Sequence, residues 1–252
     1  MKKIGLIGYG KIGRKLVSEI KEKNLGEIVF IQDTYVTEDS NYPELSFVTE
    51  GSDMVYERAD LIIECAVAGV LYENIENILK SCDLMLFSVT SFAKDSFREK
   101  TLRLAKTYQR KIYIPHGAIL GLDGILDGKT LWEEVSIQTI KNPKSLGRED
   151  TVRTVVYDGN TKGACLAYPR NVNVHAAVAL AGIGFEKTSS LIISDPVMET
   201  NRHFISLKGN GTEISIQISS YADSGVTGLY TPVSACGSLF RVLDRTGDVF
   251  VV

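Results

Sequence analysis

The stretch Lys3-Ile4-Gly5-Leu6-Ile7-Gly8-Tyr9-Gly10-Lys11-Ile12-Gly13 decides the fold. Lys3–Ile7 is an apolar run of strand length. It leads into a GxGxxG, after which residues 11–23 carry Ile12, Leu16, Val17 and Ile20 at helical spacing. Each glycine has a physical task. Gly8 permits a tight turn, Gly10 lets the backbone approach a pyrophosphate, and Gly13 lets helix and strand pack closely. The helix start at Lys11, Ile12 and Gly13 adds unpaired N–H groups and the positive end of a dipole. A second strand, Glu27–Gln32, follows, and Asp33 stands at its end, twenty residues beyond Gly13. A carboxylate there accepts hydrogen bonds from the hydroxyls of an adenine ribose. The same charge repels a 2′-phosphate, and no arginine follows in 34–37, so the spacing favours NAD over NADP.

Outward from this unit, residues 61–65 and 84–88 are further continuous apolar runs, and 111–114 closes the series. Residues 71–79 and 93–110 lie between them with amphipathic helical spacing. Strands apolar throughout, separated by amphipathic helices, predict a parallel sheet covered on both faces. The expectation is a doubly wound Rossmann domain over residues 1–115. After Pro115 the texture changes, and Gly117, Gly121, Gly124 and Gly128 loosen the chain. Residues 134–140, 151–157, 190–193, 203–207 and 212–218 then alternate apolar with polar, as antiparallel strands with one wet face do. Asn173–Ala181 is small and apolar and reads as a buried helix. The class is therefore α/β, with a C-terminal α+β domain over 116–230 built on a mainly antiparallel sheet. A mildly helical tail within 231–252 is expected to pack back on the first domain.

Composition removes several function classes. With 252 residues and 44% hydrophobic content, the chain can bury a core without metal or disulfide staples. A net charge of −3, with both signs interspersed, gives no basic field for nucleic acid. The apolar opening is too short for a signal peptide, and no run approaches the ~18 residues of a membrane span. Four cysteines lie far apart without a CxxC, and three histidines lack ligand spacing, so no metal site is expected. Cys65, ending an apolar run, reads as a buried, inert thiol, and the chain as cytoplasmic. There is no GxSxG, and no Lys-Ser/Thr follows the glycine loop, which argues against a serine hydrolase and a P-loop ATPase.

Five segments, in order, carry a resemblance to a known family: Ser91-Phe92-Ala93-Lys94-Asp95, Gly117-Ala118-Ile119-Leu120-Gly121-Leu122-Asp123, Thr139-Ile140-Lys141-Asn142-Pro143-Lys144-Ser145-Leu146-Gly147, Tyr168-Pro169-Arg170-Asn171-Val172-Asn173-Val174 and Asn201-Arg202-His203-Phe204-Ile205. They resemble the loop after the fourth strand, the GAIxGLD, the first strand and turn of the second domain, the (F/Y)PxNxNV and the NxHxI of the L-aspartate dehydrogenase family. The resemblance implies a homodimeric enzyme interconverting L-aspartate and oxaloacetate plus ammonia, or releasing iminoaspartate toward NAD biosynthesis. It also implies His203 as the catalytic histidine, with Ala118 and Asn173 as cofactor contacts near the nicotinamide. The sequence departs from the family pattern at His116, where a small residue such as Ser is usual, and at His175, where Ala is usual. Residues 224–229 follow the family's serine/threonine-rich helix start only loosely.

Oxidising an amino acid requires a base for the ammonium proton, and a neutral imidazole suits that task. His203 is the expected base, with His116 and His175 as further candidates to line the pocket. The two carboxylates of a dicarboxylic amino acid call for cationic donors, and Lys141 and Lys144 are the foremost candidates. Two alternatives stand beside this reading. One is the same fold and cofactor acting on a different amino, imino or hydroxy acid. The other is a non-catalytic NAD(H)-sensing protein.

Overall fold

The apolar run that opens the chain is the central strand of a parallel sheet. In the computed structural model, which describes residues 1–221 and 228–243, β1 (Lys3–Ile7) lies between β2 (Glu27–Gln32) and β4 (Leu61–Glu64). β3 (Phe47–Val48) extends the sheet on one side, and β5 (Asp83–Leu86) and β6 (Ile112–Tyr113) extend it on the other. The order β3-β2-β1-β4-β5-β6, with every pairing parallel, is the doubly wound arrangement. Its strand order reverses between β1 and β4, so the carboxyl ends of those strands flank the crevice where such sheets bind ligands. α1 (Lys11–Glu22), the short α2 (Asp53–Tyr56), α3 (Ala68–Ser81) and α4 (Asp95–Thr107) are the intervening helices.

The core of this sheet explains the periodicity. Leu16, Val17 and Ile20 on one stripe of α1 pack with Ile4, Leu6, Ile31, Leu61 and Ile63 of the strands. Each such aliphatic side chain contributes roughly 1.5–3 kcal/mol on burial. Ala235, Cys236 and Leu239 join the same cluster from a helix at the other end of the sequence, α8 (Tyr230–Leu243). α8 therefore packs against α1 of the first sheet.

The chain divides into two units. The first comprises Met1–Ser88, Glu99–Pro115 and the described residues from Pro232, and the second comprises Val89–Arg98 with the described residues of 116–231. Residues 93–110, read as one helix, are split: a 3-10 turn, Val89–Ala93, precedes α4. Thr90 in that turn donates its N–H to the Asn173 side chain at 3.1 Å and its hydroxyl to the Pro169 carbonyl at 3.0 Å. These bonds tie the turn to the second unit.

The second unit holds a five-stranded sheet of β7 (Glu134–Lys141), β8 (Thr154–Asn160), β9 (Ser189–Ser194), β10 (Thr200–Gly209) and β11 (Thr212–Tyr221), in the order β11-β10-β7-β9-β8. Three pairings are antiparallel, and β7 with β9 is parallel. β10 and β11 are joined by Asn210-Gly211, both at positive φ, as a two-residue hairpin turn demands. α5 (Leu122–Asp127), α6 (Thr161–Ala167) and α7 (Asn173–Ala181) complete the unit. The expected strand at 151–157 starts only at Thr154, because residues 151–153 bend and Arg153 reaches Asp195 at 3.0 Å. Residues 224–227 of the loosely matching segment, and the tail from 244, lie outside the described residues.

Candidate active site

In the first unit, the glycine loop is built for two purposes that can be separated. Gly8 has a φ of 99°, and a Cβ there would stand 2.8 Å from the backbone of Cys65 and Ala66. A Cβ on Gly13 would collide with the Gly8 carbonyl oxygen, which also accepts the Cys65 thiol at 3.1 Å. These two glycines serve the protein's own packing. Gly10 is different: a Cβ there would meet nothing within 4 Å. The space beside it is open. Gly10 caps α1 without a side-chain hydrogen bond, so the first backbone N–H groups of the helix, at Lys11, Ile12 and Gly13, remain for phosphate oxygens. The loop therefore fits a pyrophosphate.

Asp33 accepts the Tyr9 N–H at 2.7 Å on one carboxylate oxygen, and those of Tyr35 and Val36 at 2.9 and 3.0 Å on the other. Burial raises its carboxyl, but these three N–H groups and the Arg14 charge outweigh that and bring it below the ordinary value. Asp33 is thus a fixed anion holding the glycine loop. Arg14 stacks over the Tyr9 ring and pairs with Asp39 at 2.9 Å. Gly13→Ala is expected to abolish NAD binding: saturating NAD should raise the melting temperature of the wild type and leave that of the variant unchanged. Equal shifts would show that the loop tolerates the collision.

Glu64, at the carboxyl end of β4, carries no functional mark in the sequence. It is fully buried and accepts the Ala66 N–H at 2.8 Å, the Ser88 N–H at 3.0 Å and the Ser88 hydroxyl at 2.7 Å. It thereby braces the segments that leave β4 and β5 where the crevice opens. Burial lifts its carboxyl above the usual range despite these donors. Cys65, next in the chain, is only partly buried, and its thiol is pushed up by burial and by the neighbouring Glu64 and Asp33, so it is inert.

In the second unit, two of the three histidines converge. His203 on β10 is directly opposite Thr139 on β7, and such a pair places both side chains on one face. The His203 Nδ1 lies 2.8 Å from the Thr139 Oγ1, which lies 2.7 Å from the His175 Nε2 on α7. The His175 Nδ1 is 2.9 Å from Ser190 Oγ, itself 2.7 Å from Thr161 Oγ1. His175 is fully buried and His203 nearly so. Burial and the Lys141 charge hold His203 down to about 3; burial, His203 and Lys141 depress His175 as well. Both imidazoles are neutral.

Lys141, two residues after Thr139 on the same buried face of β7, is only 3% exposed. Its ammonium reaches the Asn171 carbonyl at a long 3.5 Å, and no carboxylate pairs with it among the described residues. Burial lowers it from 10.5 to about 8. The Asn171 Oδ1 is also buried and without a partner. A buried cation without a counter-charge, beside an unsatisfied acceptor and a neutral base, matches an anionic substrate that carries an ammonium.

The other expected residues fall elsewhere. Asn173, at the start of α7, spends its Oδ1 on Thr90, which leaves its amide N–H groups available. Ala118 sits in the turn after Gly117, which adopts a φ of 62°. His116 stands 4.0 Å from Asp123 of α5. Lys144 is exposed on a 3-10 turn, Pro143–Leu146, where its backbone N–H caps onto Asn142. Only Lys141 of the two lysines is enclosed. Thr139, Ser190, Thr161 and Asn171 had no sequence signal of their own, although Thr139 and Asn171 lie inside matched segments.

Residues 8–115 match the family model described as the NAD binding domain of homoserine dehydrogenase, and residues 126–242 match that of the aspartate dehydrogenase C-terminal domain. The L-aspartate dehydrogenase of Methanococcoides burtonii is 31% identical over 97% of this chain and 98% of its own length. This chain belongs to the L-aspartate dehydrogenase family. A member from a Thermotoga species is 34% identical over 79% of each chain. The crystal structure of aspartate dehydrogenase from Thermotoga maritima aligns over 100% of both chains with a TM-score of 0.81 and 28% identity. A hyperthermophilic archaeal homoserine dehydrogenase, at a TM-score of 0.60 and 12% identity, shares the fold alone. The first unit is thus the NAD-binding domain of a member of the L-aspartate dehydrogenase family, and NAD is its cofactor.

Proposed function

We propose that the protein oxidises L-aspartate with NAD to iminoaspartate, which water converts to oxaloacetate and ammonia, and that the reaction is reversible. The observation that carries this reading is the enclosed, unpaired Lys141 beside neutral His203. Lys141 holds a substrate carboxylate through a charge-assisted hydrogen bond. The Asn171 Oδ1 accepts one ammonium N–H, and the His203 Nε2 accepts the proton that the ammonium gives up as the imine forms. NAD, when bound, supplies the two-electron acceptor for the Cα–H bond. Residues 8–13 would hold its pyrophosphate and Asp33 its ribose, and the family resemblance implies Ala118 and Asn173 for its nicotinamide end. The anionic Asp33, with Arg14 committed to Asp39, supports NAD over NADP.

The test is a panel of L-aspartate, L-alanine and L-malate, each with NAD and with NADP, followed by the absorbance of the reduced nicotinamide at alkaline pH. L-Aspartate with NAD is expected to lead. L-Alanine, lacking the second carboxylate, should fall by about a hundredfold or more in kcat/KM, and NADP by about tenfold or more. Oxidation of L-malate but not L-aspartate would move the protein to hydroxy acids. A melting-temperature rise with NAD and no consumption of any substrate would leave a sensor.

We infer a homodimer working in the cytoplasm, with iminoaspartate release toward NAD biosynthesis as its place in metabolism. The family resemblance supports the dimer, as does β11, a ten-residue outermost strand with half-exposed isoleucines. Sedimentation of the purified protein decides between monomer and dimer. Four unbridged cysteines support a reducing compartment.

A further inference from the structure

The polar chain behind His203 has a direction, and that direction is set at its far end. The Thr161 Oγ1 lies 3.1 Å from the Thr188 carbonyl oxygen, which can only accept. The Thr161 hydroxyl therefore donates to that carbonyl and has only its lone pairs left for Ser190. Ser190 donates to Thr161 and accepts from the His175 Nδ1–H. His175, protonated on Nδ1, offers the lone pair of Nε2 to the Thr139 hydroxyl. Thr139 donates to His175 and accepts from the His203 Nδ1–H. Every contact then has one proton. Running the chain the other way leaves two acceptors facing each other at either Thr161–Thr188 or Thr161–Ser190.

We propose that His175 is a positioning residue for the reaction, holding His203 through Thr139 in the tautomer protonated on Nδ1, with the Nε2 lone pair offered to substrate. The inference rests on the reading of His203 as the base. Thr139 alone is not enough, since a threonine hydroxyl donates or accepts as its neighbours require. His175, tied by its other nitrogen to Ser190, removes the choice. The burial that keeps His175 neutral preserves its Nε2 as an acceptor. Because the chain ends on a carbonyl that takes no proton, it orients the base and does not conduct a proton away. When Nε2 accepts the ammonium proton, His203 becomes an imidazolium and its Nδ1–H stays on Thr139.

With three histidines, the tautomers are directly readable in the full-length protein labelled with 15N-histidine. Two-bond 1H–15N spectra at neutral pH, assigned by His175→Ala and His116→Asn, are expected to show both His175 and His203 protonated on Nδ1. This is the less favoured form of free histidine. An Nε2–H pattern at either residue in the wild type overturns the proposal. In Thr139→Val, which keeps the β-branched shape, His203 should acquire an Nε2–H population. Its kcat should fall by about tenfold to a thousandfold, with KM for L-aspartate within about threefold. Thr139→Ser should restore the Nδ1–H signature. An unchanged His203 pattern in Thr139→Val also overturns it, and the wild-type spectrum decides the matter even if that variant does not fold. If His203→Ala retains turnover, the base assignment fails whatever the spectra show, so the two failures are distinguishable.

Discussion

Lys141→Met is expected to make the protein more stable and a far poorer binder of aspartate. The unfolded chain holds the Lys141 proton up to the ordinary 10.5, whereas burial lowers the folded value to about 8. Below pH 8 both states are charged, and the folded state bears the full cost of enclosing the charge. At 1.36 kcal/mol per unit, that cost is about 3 kcal/mol. As pH rises from about 8 to 10.5, the folded state has released the proton while the unfolded state still holds it. The penalty then shrinks, so the wild type gains stability over that interval. Methionine conserves length without charge. Urea unfolding at pH 7 should therefore find the variant more stable, with the difference fading toward pH 10. A variant less stable at pH 7 would mean that Lys141 has a partner. The functional effect has the opposite sign. Losing the charge that holds a substrate carboxylate should raise KM for L-aspartate on the order of a hundredfold. The affinity of the wild type for succinate should weaken as pH rises through about 8, where the cation is lost.

His203→Ala is expected to reduce kcat by about 10²- to 10⁴-fold, the range for removing a positioned general base, with NAD binding retained. The pH profiles carry the sharper information. In the free protein, burial and Lys141 keep His203 down to about 3, so kcat/KM should show no acid limb from it across the working range. A carboxylate on Lys141 cancels much of that positive charge, and the His203 value rises in the complex. The acid limb should therefore appear at higher pH in kcat than in kcat/KM, since one reports the complex and the other the free enzyme. Coincident limbs would uncouple His203 from Lys141. A wild-type rate no greater than that of His203→Ala would remove the catalytic assignment.

The first unit was legible because its signals are local. The glycine spacing, Asp33 at the end of β2 and the unbroken apolar runs each lie within a few residues of what they specify. β3, with two residues, and α2, with four, are too short to show a period. The parallel pairing of β7 with β9 in an otherwise antiparallel sheet depends on a crossover that alternation alone does not reveal. The site of the second unit was half visible. The matched segments named His203 and brought Lys141 into view, but a threonine in an alternating strand carries no mark of what it faces. Only the register pairing His203 with Thr139 across β10 and β7 brings a hydroxyl between two histidines 28 residues apart in sequence. His175 entered as a departure from the family pattern, and its partners, Thr139 and Ser190, are what we read as support for the base. Glu64 reads in sequence as one polar residue within an apolar run, because its bonds to Ser88 span 24 residues.

The placement of α8 has a consequence for how the protein is made. Ala235, Cys236 and Leu239 complete a hydrophobic cluster whose other members come from residues 4–85. During synthesis, the first sheet and its glycine loop emerge before residues 235–239, so one wall of their core is missing until residues 116–231 have been translated. The nucleotide-binding half must wait, with Leu16, Val17 and Ile20 incompletely covered, while the other unit emerges and folds. A fragment ending at Pro115 should for the same reason be an aggregation-prone domain, and co-expressing α8 as a separate peptide should rescue it.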